Sequence, residues 1–130
     1  GNQDLIKAIN TRKNPWTINS LAEIAGRLMF PDSEYIRLTR ELISTERDRL
    51  CRELSSWDSV KIYKPMANFM LMRIRKPQVT SQGLFDHCIR QGLMIRDCST
   101  FPFLDSRYVR FCFMKPEEND RLLAAFREVL

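Results

Sequence analysis

The pattern of apolar and polar positions divides the chain into a helical first half and a mixed second half. The longest periodic segment runs from about Pro31 to Leu54, with apolar residues every three to four positions and arginines and carboxylates between them. This period predicts an amphipathic helix of roughly six turns. Shorter helical patterns predict one helix over 4–10 and another that Thr17 caps and that continues to about Phe30.

The second half of the chain shows the shorter period that is typical of strands. Apolar or alternating runs predict four strands, at 60–63, 68–74, 93–96 and 108–113. The second run is apolar on both faces, so we expect a central strand that is covered on both sides. Thr80 and Pro116 are typical starts of two further helices, and Gly92 is typical of a helix end. Helices on a small, mostly antiparallel sheet of about four strands make the predicted fold class α+β.

Length and composition agree with one globular domain. The chain has 130 residues, of which 44% are apolar and 28% charged, which argues against a disordered or fibrous protein. No apolar run approaches the ~20 residues of a membrane helix, so we expect no membrane partner. The first residues lack the features of a signal peptide, so we expect a cytoplasmic protein. Gly1 has no methionine before it, and we therefore expect a piece of a longer protein.

Cysteine and histidine spacing argues against a metal site and against a cysteine nucleophile. The cysteines are far apart and His87 is the only histidine, so no group of residues has the spacing of zinc ligands. Adjacent side chains on a helix point about 100° apart, so His87 is poorly placed to activate Cys88. In a reducing cytoplasm we expect free thiols rather than two disulfides at Cys51, Cys88, Cys98 and Cys112.

The basic composition is compatible with a nucleic-acid partner. The net charge is +5, and arginine makes up 15 of the 21 basic residues. A free-standing α+β binding or regulatory module with a basic surface, for RNA or another anionic ligand, is therefore one alternative. Many arginines alternate with carboxylates on the long helix, which is more typical of a solvated face, so we expect no nucleic-acid partner.

Two arginines in the predicted strands are the candidate ligand-binding residues. Arg96 closes the third strand, and Arg110 lies inside the fourth, on the face opposite to its apolar neighbours. A charged side chain in an apolar strand has to reach solvent, a carboxylate or a ligand anion. The planar guanidinium suits a ligand because it binds carboxylate or phosphate through two parallel hydrogen bonds. The alternatives are an ion pair with Asp97 or Asp105, or an edge strand that faces water.

Several segments together resemble one enzyme family. In chain order they are Asn14–Ala22 (NPWTINSLA), Lys64–Phe69 (KPMANF), Gly92–Cys98 (GLMIRDC), Tyr108–Phe111 (YVRF) and Glu117–Asn119 (EEN). Their order and spacing resemble the C-terminal part of class I/II (fold-type I) aminotransferases, which depend on pyridoxal phosphate. The subgroup they resemble most contains histidinol-phosphate aminotransferase and the threonine-phosphate decarboxylase of cobalamin synthesis. The Arg-Asp-Cys run and Phe101-Pro102 favour the decarboxylase.

The resemblance implies a role in substrate binding and domain closure. Residues 1–130 would form the single C-terminal small domain of a larger enzyme, with 1–14 as a linker or bridging helix. The substrate would be a phosphorylated amino acid or amine. By motif position, Arg110 matches the arginine that binds a substrate α-carboxylate, and Arg96 matches the one that contacts the substrate phosphate. Phe103 departs from the glycine that is common in its loop, which leaves the side group of the substrate open.

The resemblance also implies parts of an enzyme that match no position in this chain. These are the lysine that anchors pyridoxal phosphate and the residues that hold the phosphate of this cofactor. We therefore expect no catalytic, cofactor-binding or metal-binding residue here, and no activity of the chain alone. The expected partner is a large cofactor-binding domain within a homodimeric parent enzyme. Transamination and decarboxylation both remain open.

Overall fold

The computed structural model describes residues 2–13 and 19–130, and it divides into two compact units, Gly1–Arg37 and Leu38–Leu130. Its elements are α1 (Gln3–Asn10), α2 (Ser20–Met29), α3 (Ser33–Ser55), β1 (Val60–Ile62), β2 (Phe69–Ile74), α4 (Ser81–Arg90), β3 (Arg96–Asp97), β4 (Tyr108–Cys112) and α5 (Pro116–Val129). The larger unit holds the whole sheet and both candidate arginines.

Asparagine side chains begin the two short helices of the smaller unit. The side-chain oxygen of Asn2 accepts a hydrogen bond from the N–H of Asp4 at 2.9 Å, and that of Asn19 accepts from the N–H of Ala22 at 2.8 Å. These bonds satisfy backbone donors that a helix start otherwise leaves free. The predicted cap of α2, Thr17, lies outside the described residues, and Asn19 is the residue that caps this helix.

The apolar faces of α1 and α2 are exposed to solvent. Leu21 is 79% exposed and Leu28 is 74% exposed, although both lie on the apolar face predicted for α2. The apolar residues of α1 are exposed as well, at Leu5, Ile6 and Ile9. The spacing therefore predicts both helices correctly, while burial of these faces is not found within the described residues.

The long helix α3 runs from Ser33 to Ser55, as its period predicts. Leu50 and Leu54 near its C-terminal end are buried, and Ile43 packs against the same core. Three of its arginines pair with carboxylates of the same helix at 2.6–2.9 Å, in the pairs Arg37–Glu34, Arg47–Asp48 and Arg49–Glu46. This mixed-charge surface supports the interpretation of the arginine-rich helix as a solvated face.

The sheet is antiparallel throughout and has the strand order β1-β2-β4-β3. Residues 70, 72 and 74 of β2 and residues 109 and 111 of β4 share one face, and all of them are buried. Helices α3, α4 and α5 supply most of the other buried residues of this core, among them Leu50, Leu84, Leu122 and Phe126.

The opposite face of the sheet, which we call the open face, is only partly covered. Phe69 and Leu71 of β2 are half-buried there, and Arg73 is exposed. The prediction that β2 is covered on both sides is therefore wrong for the described residues. The core helices all lie on one face, and an antiparallel sheet tolerates a hydrated second face.

The third strand differs from its prediction. A strand was expected over 93–96, but β3 contains only Arg96 and Asp97. Leu93 and Ile95 are buried without joining the ladder. The run is apolar because it packs into the core, and burial alone does not give a segment a backbone partner.

The predicted ends of α4 and the start of α5 are confirmed. The hydroxyl of Thr80 accepts a hydrogen bond from the N–H of Gly83 at 3.0 Å. Gly92 follows α4 with a φ of 73°, a conformation that glycine adopts without strain. Pro116 is the first residue of α5.

A buried polar cluster joins α3 to the start of α5. Glu46 is 3% exposed, and its carboxylate accepts hydrogen bonds from Arg49 at 2.6 Å and from the Asn119 amide at 2.7 Å. The amide of Asn119 also bonds the backbone N–H and C=O of Met114, and Arg49 bonds Asp120. The Arg49 hydrogen bond holds the pKa of Glu46 below its usual range, although burial acts in the opposite direction.

Candidate functional site

The two candidate arginines lie at the β3–β4 edge, on the open face of the sheet. Arg96 and Arg110 are directly opposite each other in the antiparallel ladder. Val109 and Phe111 are buried on the other face, so the predicted orientation of Arg110 is confirmed. Opposed residues in such a pair have Cα atoms about 4.5–5.5 Å apart, so both guanidiniums can reach one small ligand.

A cleft of about 660 Å³ opens beside the two arginines. The β3–β4 ladder begins at Arg96, so residues 94–95 do not pair with residues 111–112, which pair with β2 on their other side. These four residues line the cleft with the arginines, and α4 contributes Gln82 and Phe85. The late start of β3, at Arg96, is therefore what makes room for a ligand.

Neither arginine has a carboxylate partner among the described residues. Asp97 accepts hydrogen bonds from the N–H of Ser99 at 2.9 Å and from its hydroxyl at 2.7 Å. Asp105 accepts from the N–H of Arg107 at 2.9 Å. Neither of the ion pairs considered as alternatives is therefore found. Like charges directly opposite in a sheet destabilise the pair, so an anion placed between them would relieve this repulsion.

An aromatic ring lies against each guanidinium. The Cζ atom of Arg110 is 4.7 Å from the ring centre of Phe69, and that of Arg96 is 5.6 Å from the ring centre of Phe101. A ring face attracts a cation electrostatically, which helps to hold the charged group in place. The guanidinium N–H groups have no acceptor recorded among the described residues and can donate to a ligand.

Asp97 keeps a negative charge at the edge of the cleft. Burial is the largest influence on the pKa of Asp97 and raises it, but hydrogen bonds and the nearby charge of Arg96 together hold it below its usual range. The buried hydroxyl of Ser81 is close to this carboxylate but has no hydrogen bond of good geometry. The two bonds from Ser99 have good geometry, so Ser99 accounts best for the lowered pKa.

The four cysteines are free thiols, and only one of them is exposed in the cleft. Burial raises the pKa of Cys88 to about 11 and also raises the pKa of Cys98. Neither is a thiolate at neutral pH, which argues against a nucleophilic role. His87 contacts Glu128 at 3.1 Å. Cys112 is exposed and lines the cleft next to the arginine pair.

Phe103, in the loop that follows β3, has an unusual backbone conformation. Its φ is 68°, and its side chain is fully exposed. Left-handed backbone costs a residue with a Cβ atom roughly 1–2 kcal/mol, whereas glycine avoids this cost. The structure thus gives a physical reason why glycine would be common at this position.

The described part of the chain has neither the residue clusters of a metal site nor a helix suited to a membrane. No cluster of histidine, cysteine, aspartate or glutamate in this part of the chain is suited to hold a metal ion. None of its helices combines the length and the apolar character that crossing a bilayer requires.

Sequence reasoning did not identify every residue of the cleft. The motif residue Phe69 was not assigned to the site, although strand alternation places it on the same face as Arg110. Phe101 comes from a loop without periodicity, so its contact with Arg96 has no signal in the sequence. Cys112 and Gln82 line the cleft, which is open because β3 begins only at Arg96.

Comparison with known proteins gives two curated relatives, while no protein-family model matches the chain. The chain is 33% identical over 127 residues to a protein assigned as threonine-phosphate decarboxylase in Caldanaerobacter subterraneus subsp. tengcongensis, covering 98% of this chain and 34% of that protein. It is 34% identical over 116 residues to the threonine-phosphate decarboxylase of Salmonella typhimurium, covering 89% and 31%. The chain therefore spans about a third of the length of these relatives.

Solved structures agree with these sequence matches. The histidinol-phosphate aminotransferase from Clostridium acetobutylicum superposes with a TM-score of 0.77 at 31% identity, covering 98% of this chain and 38% of that one. The L-threonine-O-3-phosphate decarboxylase from Porphyromonas gingivalis superposes with a TM-score of 0.71 at 26% identity, covering 98% and 40%. The α+β fold class and the resemblance seen in the motifs are both confirmed.

The cleft does not by itself fit the cofactor of these homologues. Pyridoxal phosphate is anchored by a lysine, and the described residues that line the cleft include no lysine. The wall offers two guanidiniums instead, which suit carboxylate or phosphate groups. The cleft therefore fits an anionic ligand, and any cofactor anchor has to come from elsewhere.

Proposed function

We propose that this chain, which is homologous to part of the fold-type I pyridoxal-phosphate-dependent enzymes, forms a C-terminal substrate-binding and closure domain. The complete enzyme would be an aminotransferase or a decarboxylase that acts on a phosphorylated amino acid or amine. The observation that carries the proposal is the opposed pair of Arg96 and Arg110, which line an open cleft and form no salt bridge with a carboxylate of the described residues.

Each arginine would hold one anionic group of the substrate. The guanidinium of Arg110 would take both oxygens of the α-carboxylate, which fixes the rotation of the substrate about its Cα atom. Arg96, on the edge strand, would bind the phosphate. Two cations held close together repel each other, and no carboxylate among the described residues forms a salt bridge with either, so a ligand with two anionic groups satisfies the site better than a single carboxylate does.

The remaining parts of the reaction would come from outside this chain. The homologues are pyridoxal-phosphate-dependent enzymes, and that cofactor supplies the electron sink for amino-acid chemistry when bound. Its lysine would belong to a large partner domain, in a parent enzyme that we expect to be a homodimer. The chain alone would bind and orient the anionic groups of a substrate without turning it over.

A binding experiment on the chain itself tests the anion site. Cys112 is exposed in the cleft, so a bound anion should slow its alkylation. The chain would be titrated with O-phospho-L-threonine, and alkylation at each cysteine would be followed by mass spectrometry. We expect protection of Cys112 in the wild type and loss of protection in Arg96→Ala. The matched control is Arg52→Ala, which removes an exposed arginine of α3 and should protect as the wild type does.

The two arginines should differ in what they select. A charge-assisted hydrogen bond contributes about 1.5–3 kcal/mol, so Arg96→Ala should weaken phosphorylated ligands roughly 10- to 150-fold and unphosphorylated threonine little. Arg110→Lys keeps the charge but loses the planar fork, so it should weaken every ligand that has an α-carboxylate. Equal losses for phosphorylated and plain ligands with Arg96→Ala would contradict the phosphate role of Arg96.

A further inference from the structure

We infer that Phe69 and Phe101 are positioning residues for the anion site, each holding one guanidinium by its ring face. The inference rests on the proposed function only for the ligand, because the ring contacts are properties of the chain itself. Arg110 lies 4.7 Å above Phe69, and Arg96 lies 5.6 Å from Phe101. Both distances are within the roughly 6 Å over which a ring attracts a cation.

The rings take the place that a carboxylate would occupy in an ordinary ion pair. Neither arginine has a salt bridge among the described residues, yet the two side chains start from opposed positions in the ladder, where their charges repel. A carboxylate partner would fix each guanidinium but would also use the N–H donors that an anion needs. A ring face fixes the guanidinium plane and leaves these donors free.

The two rings reach their arginines from different parts of the fold. Phe69 begins β2 and pairs with Cys112, so it is a diagonal neighbour of Arg110 on the open face. Phe101 belongs to the loop after β3, where its N–H donates to the carbonyl of Cys98 at 3.0 Å. The hydrogen bonds from Ser99 to Asp97 hold the start of the same loop. The backbone that carries each ring is therefore held by contacts that do not involve the guanidinium of its arginine.

Leucine and tyrosine substitutions separate the role of the ring from that of its volume. Phe69→Leu and Phe101→Leu keep an apolar side chain but remove the ring, whereas Phe69→Tyr and Phe101→Tyr keep the ring. We expect each leucine variant to bind O-phospho-L-threonine about 3- to 10-fold more weakly, and each tyrosine variant to bind like the wild type. Phe103→Leu is the matched control, because this exposed phenylalanine of the same loop lies against no arginine of the described residues.

Nuclear magnetic resonance of the free chain gives a second readout that needs no ligand. A guanidinium over a ring face is shifted upfield by the ring current, so the Arg110 side-chain signals should move downfield in Phe69→Leu and return in Phe69→Tyr. The same comparison applies to Arg96 with Phe101. Thermal unfolding of each variant checks that the fold is kept.

The outcomes distinguish the positioning role from the anion site itself. Leucine variants that bind as tightly as the wild type, while Arg96→Ala still loses binding, would overturn the positioning role and leave the anion site intact. A wild type that binds no phosphorylated ligand would contradict the proposed function, and the ring-current shifts would then decide the positioning role alone. Arginine signals that do not respond to ring removal would overturn it.

Discussion

Single residues at the cleft carry most of the functional interpretation. Arg96 and Arg110 are not held by any carboxylate among the described residues, and Phe69 and Phe101 lie against them instead. Such an arrangement keeps charged donors ordered and unoccupied, which is what an anion site requires. Phe103 in the same loop differs from these two phenylalanines. It is exposed, its backbone is strained, and its ring lies against no arginine of the described residues.

Replacement of Phe103 should reveal the cost of its backbone conformation. Phe103→Gly relieves a left-handed conformation that costs roughly 1–2 kcal/mol, although glycine adds about 0.5–1 kcal/mol of lost chain entropy. We therefore expect a free energy of unfolding that is unchanged or up to about 1 kcal/mol higher, measured by urea denaturation. Phe103→Ala keeps a Cβ atom and should show no such gain. A clear loss of stability in Phe103→Gly would show that the phenylalanine makes a stabilising contact.

At the scale of elements, the buried Glu46 cluster connects α3 to the segment that leaves β4. Asn119 bonds both Glu46 and the backbone of Met114, two residues after the end of β4. Buried polar groups stabilise a fold only when they are fully paired, so this cluster should be sensitive to the loss of one member. The cluster lies away from the cleft lining and is therefore a structural feature rather than a part of the site.

The Glu46 carboxylate should make stability depend on pH in a defined direction. Its pKa is lower in the folded chain than in the unfolded chain, so its contribution is present above the unfolded pKa of about 4.3 and is lost as the pH falls through the folded pKa. Glu46→Gln should lower the free energy of unfolding by about 1.5–3 kcal/mol at neutral pH. Wild type and variant should converge in acid, as measured by urea unfolding across the pH range.

An exposed glutamate provides the control for this pH effect. Glu117→Gln lies in the first turn of α5 and should change stability by less than about 0.5 kcal/mol at any pH. A constant difference between wild type and Glu46→Gln from neutral to acid pH would contradict the electrostatic explanation. It would point to packing of the side chain instead.

At the scale of the whole molecule, the smaller unit presents apolar surface that the described residues do not cover. Leu5, Ile6 and Ile9 of α1 and Leu21 and Leu28 of α2 are exposed. The chain matches only about a third of the length of its curated relatives. Surface of this kind tends to associate, with another part of a longer protein where one is present or with a second copy where none is.

We therefore expect the chain to self-associate as its concentration rises towards the millimolar range. Serine at positions 21 and 28, in Leu21→Ser with Leu28→Ser, should shift the equilibrium to monomer in analytical ultracentrifugation. Arg27→Ser, an exposed polar position of the same helix, should associate as the wild type does. A wild type that stays monomeric at the highest concentration would contradict the prediction. Trp16, a further apolar residue between α1 and α2 in the sequence, lies outside the described residues.

The sequence by itself determined the fold class, the helices and three of the four strands, and it singled out Arg96 and Arg110 as candidates. Local signals carry this information, because the helical period, the residues Thr80 and Pro116 at helix starts, and Gly92 after α4 each act within a few positions. Strand alternation likewise oriented Arg110, since its neighbours Val109 and Phe111 are buried. The family resemblance rests on the order of short motifs, which is also a property of the sequence alone.

Only the tertiary structure decided where strands pair and what surrounds the arginines. The run 93–96 is apolar enough for a strand, but pairing depends on the path of the chain beside β4, and the ladder begins only at Arg96 because residues 93–95 do not pair. The unpaired edge opens the cleft that Cys112 and Gln82 line, and the loop after β3 brings the ring of Phe101 to Arg96. These contacts join residues from distant parts of the chain, and no local pattern encodes such contacts because they depend on how separate elements pack.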